Sequence, residues 1–210
     1  TGYAVSSEWE AVNELEIGGR NLYKESATIK TYNKGSDHGN ASSWSNIVED
    51  GVEFTRITPI NNGNFYFYPK LNLLPFVIKA GEKYTISFKY RTTQLSSTGL
   101  YNYLLAPSVS AQIPPSTVWT LFSKTYEVAA DKTVSTNQLL GFSSLVSGTQ
   151  FDVRDLKLEK GNKPTDWTPA PEDVQAEIDA AQTTADDAKL AADGYMKARY
   201  IRDWIQGSTL

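Results

Sequence analysis

The chain contains no cysteine, one histidine, one methionine and no apolar run near the twenty residues a membrane-spanning helix needs. Without cysteine there is no disulfide, no thiolate metal site and no cysteine nucleophile. A disulfide-free chain suits a reducing cell, and equally an extracellular particle assembled inside one. The single histidine, His38, removes most histidine-based catalysis and any multi-histidine metal site; it reads as a loop hydrogen-bonder. No segment reads as a charged-then-apolar leader. Basic residues are outnumbered, 20 Lys and Arg against 24 Asp and Glu, which argues against a nucleic-acid binder relying on phosphate neutralisation. Nucleophile elbow, phosphate-binding glycine loop and histidine–carboxylate set are all missing. Glu49, Asp50 and Glu53 lie too close in sequence to face each other across a glycosidase cleft, and read as a solvated edge.

What the chain does have is length, core-forming residues and aromatics. Its 210 residues are 40% hydrophobic and 21% charged, enough for one ordinary domain plus an appendage, or two small domains. Charge divides it into three segments. Residues 1–17 carry four acids and no base, residues 18–171 carry 16 bases and 12 acids, and residues 172–210 carry four bases and eight acids. Of the aromatics, 12 are Tyr and 5 are Trp, nearly all before residue 168.

From Gly18 to about Trp167 the pattern is that of strands. Tyr84-Thr85-Ile86-Ser87-Phe88-Lys89-Tyr90-Arg91 alternates apolar and polar throughout, after the turn signal Ala80-Gly81-Glu82. Further strand-like runs are Val52–Ile57, Phe65–Tyr68, Leu73–Ile78, Leu100–Leu105, Val118–Val128, Thr133–Phe142 and Phe151–Leu158. Turn chemistry separates them, as at 61–64, 96–99 and 114–116, and no helical period intervenes. Many short strands of this kind predict an antiparallel sandwich or barrel. In the last run Phe151 and Val153 share one parity while Leu156 and Leu158 share the other, which predicts a β-bulge at Arg154-Asp155.

After Trp167 the character changes. Thr168-Pro169-Ala170-Pro171 reads as a stiff linker, and Pro171-Glu172-Asp173 as a helix start with acids suited to the dipole. Val174, Ile178, Ala181, Ala185, Ala188, Ala192 and Tyr195 then fall at alternating spacings of four and three, a heptad seam. An alanine seam buries too little for a lone helix, so the segment should pair with copies of itself or a neighbour, or dock on its own sandwich. The domain reading is a connector over 1–17, a sandwich over 18–168, a linker and heptad helix over 169–199, and the start of a further module over 200–210. Trp9, Val12 and Leu15 could share one face of a short helix in the connector.

Two stretches carry a resemblance. Ile17-Gly18-Gly19-Arg20-Asn21-Leu22 with Ser26, and Phe151 through Gly161 running on to Thr165–Asp173, resemble the beginning and end of a carbohydrate-binding module of tail and baseplate proteins from phages and prophages of Gram-positive bacteria. Ala80–Phe88 and Trp119–Tyr126 resemble its middle strands. The likeness covers about residues 17–173 and implies a galactose-binding-like jelly roll joined by a helix to the next module, in an adhesin of the virion tail. Such proteins are usually homo-oligomers, often trimers, among other tail and baseplate subunits. Some relatives hold a structural Ca²⁺ near an acidic pair in the last strand; here Arg154 replaces one acid, leaving Asp152 and Asp155 as metal candidates and otherwise no cofactor.

Saccharides are bound by stacking their C–H faces on aromatic rings, with hydrogen bonds from planar polar side chains. In Phe65-Tyr66-Phe67-Tyr68 and Leu100-Tyr101-Asn102-Tyr103-Leu104, phenylalanines and leucines point one way and tyrosines the other. If Phe and Leu enter the core, Tyr66, Tyr68, Tyr101 and Tyr103 form an outer platform, which Arg91 and Lys89 could flank. Trp44, in the small-polar loop Asn40–Asn46 beside Asp37 and His38, is a binding finger or a lid on the core, and the finger is favoured. Trp119 reads as structural and Trp167 as a cap on the sandwich. The leading expectation is a non-catalytic module binding cell-wall saccharide of a Gram-positive host, without nucleic-acid or membrane partners. The alternatives are a structural spacer whose tyrosines meet other subunits, and an accessory module of a wall-degrading enzyme.

Overall fold

The computed structural model describes residues 18–29, 42–71, 75–106, 109–136 and 139–207. The chain separates into two compact units, 1–171 and 172–210.

In the first unit alternating side chains generate the strands. β1 (Tyr23–Lys24) is short, β2 (Ser42–Glu49) and β3 (Val52–Pro59) make a hairpin, and β4 (Gly63–Phe67), β5 (Lys70–Leu71) and β6 (Phe76–Ile78) follow. Then come β7 (Lys83–Thr92), β8 (Thr98–Asn102), β9 (Val109–Ile113), β10 (Thr120–Glu127), β11 (Lys132–Val134), β12 (Leu140–Leu145) and β13 (Phe151–Lys160). In β7 the odd–even split is complete: Tyr84, Ile86, Phe88 and Tyr90 are buried in the core, while Lys83, Lys89 and Arg91 lie on the other face.

Two antiparallel sheets result, ordered β10-β7-β13-β3-β2 and β4-β12-β8-β9. The chain crosses directly from one sheet to the other at β3–β4, β7–β8, β9–β10 and β12–β13, and returns between β4 and β7 and between β10 and β12 by way of the short strands β5, β6 and β11. With β2 set aside as an added edge, this is the strand order of an eight-stranded jelly roll. Short ladders β1–β5 and β6–β11 flank it. Both sheets turn their apolar faces to one shared core: Phe88 of β7 meets Phe142 of β12 edge-on at 5.6 Å, and Phe142 lies 4.6 Å from Phe151 of β13. Each such ring removed from water contributes about 1.5–3 kcal/mol.

The bulge expected at Arg154-Asp155 is present. Pairing with β7 slips between Arg154 and Lys157, and Asp155 has φ 57°. The extra residue lets Phe151 and Val153 before it, and Leu156 and Leu158 after it, all face the core. Freed backbone groups are taken up by the N-terminal segment: Asp155 N–H donates to Ala27 O and Leu156 N–H to Ser26 O, both at 2.9 Å.

Three strand expectations need correcting. Ser42–Glu49 is a strand rather than a loop, because Asp50 and Gly51, at φ 52° and 75°, form a two-residue turn that sets Glu49 opposite Val52. The run Thr133–Phe142 is broken into β11 and β12 rather than continuous, and Val109–Ile113 is a strand with no earlier counterpart. Leu73 lies outside the described residues, as do Trp9, Val12, Leu15, Asp37 and His38.

The described residues of the second unit lie in one helix, α1 (Pro171–Gly207). It opens on proline with Glu172 and Asp173 in the first turn, as a helix N-terminus favours. Gln175–Asp179 and Gln182–Asp186 side-chain bonds of 2.8 and 3.0 Å support it locally. Helix continues through Tyr200–Gly207, so the expected boundary at 199/200 coincides with no change of element. No helix of the described residues is long and apolar enough to cross a membrane.

Candidate functional site

On the four-stranded sheet the alternation places phenylalanine inward and tyrosine outward. Phe65, Phe67, Leu100 and Phe142 are core residues, and in the register Gly141 of β12 stands between Tyr66 of β4 and Tyr101 of β8. Glycine is required there: a Cβ at Gly141 would lie 2.3 Å from the Tyr66 ring and 2.6 Å from Phe65 O. The Tyr66 ring meets Tyr101 edge-on with centroids 5.4 Å apart, and Tyr101 runs parallel to Tyr103, 5.7 Å and 7° away. Three of the four expected tyrosines therefore form one ladder on the outer face. Tyr66 is its base, only 9% exposed, with its hydroxyl accepting from Asn64 Nδ2 at 2.9 Å. Burial, reinforced by the Tyr101 phenol, pushes the Tyr66 pKa up to about 12. Tyr101 and Tyr103 are half-buried and offer the accessible rings. Tyr103 also lines a hollow of about 200 Å³ with Leu105, Ala106, Ala130 and Lys132. Tyr68, 38% exposed, lies past the end of β4 and makes no ring contact among the described residues.

Three residues expected at the binding surface, Trp44, Arg91 and Lys89, stand elsewhere. Trp44 belongs to β2, on the core side of the sandwich: it sits opposite Ile57, packs against the core and touches Phe65 edge-on at 5.8 Å. It is a lid, not a finger. Arg91 and Lys89 lie on the outer face of the other sheet, because β7 is a central strand of that sheet. They cannot flank the tyrosines.

The Arg91 surroundings form a second polar cluster. Asp152, 2% exposed, accepts from Arg56 Nε and Nη2 and from Arg91 Nε, all at 2.8 Å. Arg91 Nη2 also reaches Glu49 Oε2 on the hairpin end. Both guanidinia lie over the Phe54 ring, Arg56 at 5.3 Å and Arg91 at 4.9 Å, and Phe54 is buried outside the main core. Trp119 is half-buried, edge-on to Phe54 at 5.3 Å, with Arg91 and Arg154 each 4.9 Å from its ring. The hydrogen bonds to Glu49 and then Asp152 raise the pKa of Arg91, and those to Asp152 raise that of Arg56.

The metal assignment of Asp152 and Asp155 is also corrected. Asp152 is saturated by two guanidinia, and Asp155 faces Lys89 at 3.4 Å and Arg154 at 3.3 Å. Cations already neutralise both carboxylates, and no group of three His, Cys, Asp or Glu that could hold a metal occurs among the described residues.

A further hollow, about 630 Å³, opens among Arg20, Leu22, Phe76, Tyr84 and Lys160. Neither this hollow nor the Arg56–Asp152–Arg91 cluster was foreseen. The signal for the cluster was faint: Arg56, Arg91 and Asp152 share the outward parity of three runs whose adjacency only the sheet order establishes.

No protein-family model matches the sequence and no curated protein matches it. Solved structures of similar architecture include a CBM4 structure, 9% identical with TM-score 0.38, covering 58% of this chain and 92% of that one. A carbohydrate binding module from Cellvibrio mixtus lichenase 5A, in complex with cellotriose, is 16% identical with TM-score 0.35, covering 63% and 96%. A family 16 carbohydrate binding module is 15% identical with TM-score 0.37, covering 58% and 87%. Likeness this distant leaves the reading of the surface to its own geometry.

Proposed function

We propose that the sandwich is a non-catalytic carbohydrate-binding module that holds saccharide on the Tyr66–Tyr101–Tyr103 ladder. The observation that carries this reading is the parallel Tyr101–Tyr103 pair, with the Tyr66 ring edge-on to Tyr101 across Gly141. Two wide rings at one tilt offer a stacking surface for the C–H faces of sugar rings, and the phenol hydroxyls and Lys132 supply polar contacts beside it. The resemblance of residues 17–173 to modules of phage tail and baseplate proteins supports the finer reading: an adhesin of the virion tail, binding cell-wall polysaccharide of a Gram-positive host among other tail subunits. The heptad seam of α1 supports a homo-oligomer, a trimer in that context. Several copies would compensate a weak single site through avidity.

The test is retention of the full chain on purified Gram-positive wall polysaccharide and on a glycan array, with Tyr101→Ala/Tyr103→Ala in parallel. Binding by the parent and its loss in the variant is expected; equal retention of both, or no retention of either, overturns the reading.

A further inference from the structure

The cluster on the outer face of the five-stranded sheet has the construction of a second binding site. A hollow of about 330 Å³ opens there, lined by Glu49, Arg56, Arg91, Thr117, Gln150 and Asp152. Its two guanidinia are held in place: each lies over the Phe54 ring, Arg91 also lies over Trp119, and the buried Asp152 carboxylate binds each at 2.8 Å. Each uses Nε and Nη2 on carboxylates, and Nη1 of each carries no hydrogen bond among the described residues. The Thr117 hydroxyl and the Gln150 side-chain amide add groups without a hydrogen-bond partner among the described residues. Two guanidinia against Asp152 and Glu49 leave the hollow without net charge.

We propose that this hollow is a separate saccharide site that binds the vicinal hydroxyls of a neutral sugar unit, with Arg56 and Arg91 as donors and Glu49 as acceptor. A rigid pair of planar donors beside a carboxylate matches a diol, whose oxygens accept from the guanidinia while one hydroxyl donates to Glu49. Because Asp152 and the aromatic floor already hold the donors, little side-chain freedom is lost on binding. A charged sugar acid fits less well, since its carboxylate would face Glu49 and compete with it for Arg91. The site shares its ligand class with the tyrosine ladder but lies on the opposite sheet and stands without it.

The test is a titration of the ¹⁵N-labelled full chain with glucose, galactose, N-acetylglucosamine and glucuronate, following the Arg56 and Arg91 Nε–H resonances. A saturable shift with at least one neutral sugar is expected. It should persist in Tyr101→Ala/Tyr103→Ala, and affinity should fall on the order of tenfold or more in Thr117→Trp, which fills the hollow without touching the Asp152 network. No saturable shift with any neutral sugar, a response to glucuronate alone, or an unchanged response in Thr117→Trp overturns the proposal. The two sites fail separately: loss of wall retention in the tyrosine variant with silent arginines leaves only the ladder, and the converse leaves only this hollow.

Discussion

Asn21 and Trp167, from opposite ends of the sandwich sequence, donate to the same carbonyl oxygen: Asn21 Nδ2 lies 3.2 Å and Trp167 Nε1 3.1 Å from Leu156 O. Asn21 is fully buried and also donates to Ser26 Oγ at 2.9 Å and Thr168 O at 3.1 Å, while its Oδ1 accepts from Tyr23 N–H and Leu158 N–H. One amide thus ties the first strand, the bulge and the exit from the sandwich together. Gly18 completes the seam, since a Cβ there would lie 2.2 Å from Lys160 O.

Asn21→Ala leaves several buried backbone groups without a partner, so it should destabilise the sandwich by about 3 kcal/mol. Urea unfolding of the full chain reads this directly. A midpoint within error of the parent would show that the seam contributes nothing.

Lys157 and Glu159 form an ion pair at 3.5 Å with side chains 1% and 0% exposed, bridged by Thr165, whose hydroxyl lies 2.5 Å from Lys157 Nζ and 2.7 Å from Glu159 Oε2. Lys157→Met strands a buried carboxylate and should cost about 3–5 kcal/mol, whereas replacing both members with Met should cost far less. Denaturant unfolding of the two variants separates these outcomes; equal losses would contradict the pairing.

Within the ladder, Tyr101→Ala and Tyr103→Ala should each weaken retention on wall polysaccharide about tenfold, roughly 1.4 kcal/mol. Tyr68→Ala, outside the ladder, should change little. Gly141→Ala should weaken retention as well, by displacing the Tyr66 ring. A ranking led by Tyr68 would relocate the platform.

The Tyr66 phenol is raised from the usual 10.0 to about 12. A raised phenol keeps its proton in the folded chain while the unfolded chain loses it, so stability is intact below about pH 10 and falls as pH rises toward about 12. Burial raises Tyr23 and Tyr84 in the same direction. Absorbance at the phenolate band should show these residues ionising late, together with unfolding. Full ionisation of all tyrosines near pH 10 in a folded chain would contradict their burial.

Val174 and Ile178, 40% and 55% exposed, begin the seam of α1. Ile178→Asp should shift the full chain toward smaller species in sedimentation equilibrium, because a carboxylate at a seam position opposes pairing. An unchanged mass distribution would remove the seam from any assembly contact.

Local pattern alone was enough for much of the fold. The alternation of β7, the phase flip at Arg154-Asp155, and the inward phenylalanines beside outward tyrosines follow from the two-residue period of a strand. The helix start at Pro171 follows from equally local rules. Such signals act over a few residues and survive without knowledge of neighbours. Trp44 and Arg91 show where that ends. The serine-rich Ser42–Glu49 is a strand because Asp50-Gly51 folds it onto β3, and Trp44 faces the core because of that pairing. Arg91 stands with Asp152 and Arg56 rather than with the tyrosines because β7 joins β13 and β3 in one sheet while β4 and β8 join β12 in the other. Parity says which side of a strand a residue occupies; only the pairing of distant strands decides which surface that side becomes, since the contacts that choose it span the whole chain.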